Sequence, residues 1–129
     1  MARVLVAEND TDERDLMAFR LEQAGFDVQT CRTGDAVLDA IDPDVVALVL
    51  QERLRGLSGL EVCGRVRSTP EFADLPVLLV STSGAEEEAL AAFTAGADDW
   101  LVEPLHAWEF ETRLRSLVQR CHRHPHRRR

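Results

Sequence analysis

The chain contains no lysine; all 15 of its basic residues are arginine, so no side-chain ammonium is available to any site it builds. Cysteine is scarce too. Cys31, Cys63 and Cys121 are an odd number without close spacing, which argues against a disulfide framework and against a paired-cysteine zinc site. Cys63 falls within a predicted helix and is read as a small core residue. No apolar run approaches the length that spans a bilayer, and no charged segment followed by an apolar one opens the chain. The expectation is therefore no membrane contact and a cytoplasmic location. Internal repeats and internal linkers are absent as well.

What is present suits one domain. A chain of 129 residues, 45% hydrophobic and 29% charged, fits a single globular core. The reading is a folded body over residues 1–120 and a basic flexible tail over 121–129. Arg123, Arg127, Arg128 and Arg129 in the tail leave 11 arginines in the body against 23 acidic residues, a balance of −12. A body that acidic is expected to repel nucleic acid. The run Cys121-His122-Arg123-His124-Pro125-His126 invites a metal reading, but a metal site needs held geometry and supporting hydrogen bonds. A solvated basic tail, suited to an acidic surface, fits the composition better.

Short apolar runs alternate with helical stretches, which favours an α/β fold with a parallel sheet. Strands are predicted at Val4–Ala7, Phe26–Thr30, Val45–Leu50, Pro76–Val80 and Trp100–Val102. The third is uniformly apolar, as befits a strand buried on both faces. The first helix is predicted from a cap at Asp10 or Thr11 to Ala24, with Leu16, Phe19 or Arg20, Leu21 and Ala24 near one face and Gly25 as its stop. Others follow at Gly34–Ile41, after Ser58, at Glu86–Ala95 with three glutamates near its positive end, and past Pro104 with Phe110, Leu114, Leu117 and Val118 on one face. Five such units with ligands at the strand ends describe a flavodoxin-like, doubly wound sheet of order 2-1-3-4-5. Its strand ends present Glu8-Asn9-Asp10, Gln51, Ser81 and Glu103.

The run Ala95-Gly96-Ala97-Asp98-Asp99-Trp100-Leu101-Val102-Glu103-Pro104-Leu105, with Asp42-Pro43-Asp44, Ser58-Gly59-Leu60-Glu61-Val62 and Leu75-Pro76-Val77, resembles the receiver domain of two-component response regulators. The resemblance covers about residues 3–120. It implies three carboxylates around Mg²⁺, one of them the phosphoacceptor at the place of Gln51, with a hydroxyl and a lysine for the phosphoryl oxygens. Here Glu8 is an accepted variant of one acid, Asn9 replaces another and Gln51 replaces the acceptor. One carboxylate with two amides suits Mg²⁺ poorly. Glu103 stands where the resemblance puts the lysine; a like charge at about 4 Å repels by roughly 4 kcal/mol at an effective dielectric near 20. A carboxamide cannot accept a phosphoryl group. The expected site is therefore a degenerate pocket of Glu8, Asn9, Gln51, Arg53, Ser81 and Glu103, with no catalytic residue, metal or cofactor.

Two readings of that pocket stand side by side. One is drift in a disused site; the other is a polar lock in which Arg53 pairs with Glu103 or Glu8 while Gln51 bridges them. Asp10 is read as a helix cap rather than a second metal carboxylate, and Glu52 as pointing away from the pocket. Ser81 matches the family's switch hydroxyl and Trp100 its switch aromatic, a pair that a phosphoryl group would otherwise move. Trp100 also reads as a core filler. The resemblance further suggests a cis Glu103-Pro104 bond.

The resemblance implies contacts through the face of the fourth helix, fifth strand and fifth helix. Asp98, Asp99, Glu109, Arg113 and Arg115 match charged positions that pair across dimers, while the usual basic residue of the fourth helix is missing. Trp108 is read either as a partner anchor or as packed against Leu105. The expectation is a non-enzymatic pseudo-receiver in two-component-type signalling, binding a signalling protein or kinase-like component, or a second copy. The alternatives are a phosphorylated receiver using an acceptor such as Glu52, and a small-molecule-binding domain. The latter is disfavoured by the lack of a glycine-rich phosphate loop after the first strand.

Overall fold

Five parallel strands form one sheet in the order β2-β1-β3-β4-β5, the order expected. The computed structural model describes residues 2–123, with side chains to residue 120. The strands are β1 (Arg3–Ala7), β2 (Asp27–Cys31), β3 (Val45–Gln51), β4 (Val77–Ser81) and β5 (Asp99–Val102), and the helices are α1 (Thr11–Gln23), α2 (Gly34–Ala40), α3 (Gly59–Ser68), α4 (Glu86–Thr94) and α5 (Ala107–Arg123). Helix α5 thus runs through residue 123, into the segment read as tail; residues 124–129 and the side chains of residues 121–123, and with them the metal reading of Cys121–His126, lie outside what is described.

Strand alternation divides the core into two. Leu5, Ala7, Leu48, Leu50, Val77 and Leu79 pack with Val37 of α2, Val62, Cys63 and Val66 of α3 and Ala92 of α4. Val4, Val6, Ala47, Val49, Leu78, Val80 and Leu101 pack on the other face with Met17 and Leu21 of α1 and Phe110, Leu114 and Leu117 of α5. A period of two puts successive side chains on opposite faces, so β1, β3 and β4, covered on both sides, read as unbroken apolar runs.

Departures from expectation occur at the periphery. Strand β2 lies one residue later than predicted, because it is an edge strand whose Asp27, Gln29 and Thr30 are exposed. Helix α1 turns a different face inward: Leu16 and Phe19 are 41% and 56% exposed, while Arg14, Met17 and Leu21 are buried. The cause is Arg14, whose guanidinium donates to Glu8 O at 2.9 Å and to Thr11 Oγ1 at 3.3 Å. With those bonds made, a cation takes a place that polarity alone assigns to solvent.

Two local devices position the strand ends. Helix α3 opens on a capping box, with Ser58 accepting from Glu61 N while the Glu61 side chain accepts from Ser58 N. A Cβ on Gly59 would sit 2.3 Å from Gln51 O, so only glycine lets α3 begin this close to the end of β3. The motif after α4 is structural too. Asp98 Oδ2 accepts from Val77 N and Arg67 Nη2, each at 2.8 Å, and Arg67 also donates to Gly96 O, Ala73 O and Leu75 O.

Candidate functional site

Residues at the carboxyl ends of the strands form two polar clusters, sorted by the same alternation that divides the core. Glu8, Gln51 and Glu103 continue the parity of the α1–α5 face; Ser81, Glu52 and Trp100 continue that of the α3–α4 face.

In the first cluster Gln51 is 5% exposed and bonded through both ends of its amide. Its Nε2 donates to Glu8 Oε1 at 3.1 Å and to Glu103 Oε2 at 3.3 Å, and its Oε1 accepts from Glu52 N at 3.0 Å. The ends of β1, β3 and β5 are thus joined by one side chain. Glu8 Oε2 accepts from Asp10 N at 3.1 Å. Asp10 caps α1, accepting from Glu13 N at 3.0 Å, as expected. Asn9 turns to the loop after β3, donating to Arg53 O at 2.6 Å and accepting from Arg55 N at 2.9 Å. The Glu103-Pro104 bond is cis.

These bonds bear on how well the residues suit Mg²⁺. The oxygens that the resemblance assigns to Mg²⁺, on Glu8, Asn9 and Gln51, already accept from protein N–H groups. Two of the three side chains are neutral amides, whereas Mg²⁺ is held by carboxylates, phosphates and its own waters. The residues do not fit the ion. Instead of carboxylates drawn together by a cation, amides supply their own donors. Glu103 responds to the crowding: burial first, then the Glu8 carboxylate, pushes its pKa up to about 7.

The lock assigned to Arg53 is a misreading. Strand β3 ends at Gln51, so strand alternation no longer directs Arg53. Its side chain is 78% exposed and pairs with Glu88 of α4 at 3.2 Å, not with Glu8 or Glu103. Gln51 does bridge Glu8 and Glu103 through its Nε2, but its Oε1 accepts from Glu52 N and not from Arg53.

Glu88 centres the second cluster. Ser81 Oγ donates to Glu88 Oε1, and Ser83 Oγ donates to Glu88 Oε2 at 2.6 Å. Those hydroxyls hold the Glu88 pKa down to about 2. Glu52 is only 4% exposed, and the groups acting on its carboxyl are Glu88, Trp100 and Arg53 rather than Glu8 or Glu103. Burial first, then the Glu88 carboxylate, raises its pKa to about 7, opposed by the Trp100 indole. Trp100 packs against the α2–α3–α4 core, as its core-filling reading predicted. Ser81, expected to lack a trigger, therefore has an anionic partner within the chain. Glu88 went unrecognised among three consecutive glutamates. One signal marks it: it is the third residue of a helix whose N-cap is Ala85, where a capping-box glutamate has no serine or threonine to answer it.

On the α4–β5–α5 face the charges expected to cross an interface are bonded internally. Arg113 pairs with Asp99 at 3.1 Å and with Glu109 at 3.3 Å, and Asp98 pairs with Arg67. Arg115 donates to Ala24 O and lies over the Phe26 ring. Trp108 is 78% exposed, which removes the packed reading; Leu90 and Phe93 of α4 and Val102 of β5 are exposed as well.

Comparison with known proteins agrees with this architecture. The chain is 35% identical over 128 residues to the DNA-binding dual master transcriptional regulator RpaA of Synechocystis sp., a match covering 97% of this chain and 52% of that protein. It is 37% identical over 119 residues to the response regulator MprA of Mycobacterium avium, covering 92% and 51%. The chain thus spans about half the length of these curated relatives. A response regulator structure from Chloroflexus aurantiacus matches with a TM-score of 0.88 at 28% identity, covering 92% of this chain and 98% of that one. With the family model of the response regulator receiver domain matching residues 4–115, the chain belongs to the receiver-domain family of response regulators.

Proposed function

We propose that this receiver domain works by protein–protein binding without taking up a phosphoryl group. The observation that carries the reading is Gln51. Its amide nitrogen is bonded to Glu8 and Glu103 and its oxygen to Glu52 N. The acceptor place thus holds a group that cannot form an acyl phosphate and is bonded at both ends. Glu103 adds a carboxyl where the reaction needs a cation, and the chain has no lysine to replace one. Glu52 is a poor substitute acceptor: it is buried and raised in pKa beside Glu88, so much of it is protonated near neutrality.

Binding on this reading uses the α4–β5–α5 face, toward a signalling protein, a kinase-like component or a second copy, in the cytoplasm. Because Asp99 and Glu109 are each paired with Arg113, the contact is apolar and anchored by Trp108 rather than charge-paired. Large exposed aromatics are the residues that most often dominate such contacts.

The test is treatment of the purified chain with acetyl phosphate and Mg²⁺, followed by intact mass measurement with and without hydroxylamine. The expected result is no added mass. A hydroxylamine-labile adduct of one phosphoryl group would overturn the reading.

A further inference from the structure

We propose that Glu88 is a built-in anionic ligand for the strand-end hydroxyls, a latch that fixes the first turn of α4 against the ends of β3 and β4. Donors from two separate loops converge on this one carboxylate. Ser81, fully buried at the end of β4, donates to one oxygen; Ser83, two residues on, donates to the other, and so does Arg53 from the loop after β3. The loop is ordered around the same atoms. Ser83 N donates to Ser81 Oγ at 3.3 Å and Ala85 N donates to Ser83 Oγ at 3.1 Å. Two hydroxyls and a guanidinium grouped around one point are what an external oxyanion would recruit, and here a side chain of the domain supplies the anion.

The need for such a latch follows from how little else holds α4. Of its nine residues only Ala92 is buried, and its N-cap makes no side-chain hydrogen bond. Helix α3 differs on both counts: it buries Gly59, Val62, Cys63 and Val66 and opens on a capping box. Burying a single alanine contributes little hydrophobic free energy, so the position of α4 depends on its polar tether. That tether also sets where Leu90 and Phe93, 69% and 51% exposed, stand on the proposed binding face. The inference relies on the preceding reading for the role of that face, but not for the latch itself.

The latch is testable without any phosphodonor or partner. Backbone hydrogen–deuterium exchange of residues 86–95 would be followed by mass spectrometry in the unaltered chain and in Ser81→Ala, Glu88→Gln, the double variant and Glu87→Gln. Loss of a charge-assisted hydrogen bond is expected to speed exchange in α4 by about tenfold or more, leaving α3 and α5 unchanged. Glu87→Gln is expected to match the unaltered chain. The double variant is expected to exchange no faster than the faster single one, because both substitutions remove the same contact. Should Glu88→Gln fail to fold, Ser83→Ala removes another hydroxyl from the same carboxylate and is expected to speed α4 exchange alone. Unchanged α4 exchange, acceleration spread evenly over every helix, or additive effects in the double variant would each overturn the proposal. Failure here with no acyl phosphate formed leaves the binding-only reading standing, and the converse result separates the two in the other direction.

Discussion

Gln51 Nε2 lies 3.1 Å from Glu8 Oε1, so that a neutral amide joins the end of β3 to the end of β1. The amide is suited to this because it brings two N–H groups into a site with two carboxyls, where an aspartate would bring a third negative charge.

Replacing the amide should therefore destabilise. Gln51→Asp removes both donated bonds and adds a like charge beside Glu8 and Glu103. A loss of about 3 kcal/mol is expected at pH 8, from hydrogen bonds to charged groups worth roughly 1.5–3 kcal/mol each. Urea denaturation at pH 8 and pH 5 checks this, with the smaller loss expected at pH 5. A variant as stable as the unaltered chain at both pH values would remove the bracing role from Gln51.

The pH behaviour of Glu103 has a definite sign. Its folded pKa, about 7, lies above the ordinary 4.5, so between those values the folded chain holds a proton that the unfolded chain has released. Its contribution to stability therefore falls as pH rises from about 4.5 to about 7 and stays reduced above. Glu103→Gln should be more stable than the unaltered chain at pH 8 and gain nothing at pH 4.5. Glu52, also raised to about 7, carries the same sign. Comparing variant with unaltered chain at each pH cancels the other acids, and a gain independent of pH would contradict the assignment.

Two arginines should part company. Arg53 is 78% exposed with one ion pair, so Arg53→Ala is expected to shift the melting temperature by no more than about a degree or two. Arg67 bonds Gly96 O, Ala73 O, Leu75 O and Asp98; Arg67→Ala is expected to cost about 2–3 kcal/mol. Calorimetry on both variants is decisive, and a reversed order would count against this account of the two loops.

Trp108→Ala should separate binding from folding. An exposed side chain is truncated, so stability should move by less than about 0.5 kcal/mol. Self-association in sedimentation velocity, or capture of a host protein, should weaken at least about fivefold if Trp108 anchors the contact. Equal association by both proteins would move the interface elsewhere.

The fold was legible because its central strands carry it: Val4–Ala7, Val45–Leu50 and Val77–Val80 are apolar without a break. Reading failed where burial and polarity part. Edge strand β2 exposes Asp27 and Gln29, which blurred its start, and Arg14 took an inner place on α1 that apolar counting gave to Leu16 and Phe19. Within the site, Glu8, Gln51 and Glu103 were found because strand ends fix their positions. Arg53 was misplaced because it stands past the end of β3, where periodicity no longer directs a side chain. Glu88 was hidden because its partners, Ser81 and Ser83, precede it on a different element and no helix pattern links them.

Asn9 and Gln51 fasten the sheet's upper rim with groups of the chain itself. On the binding-only reading nothing dissociable completes that rim, and a chelator should leave it unchanged. On the binding-only reading, what the cell can adjust is then how many copies it makes and how long they last.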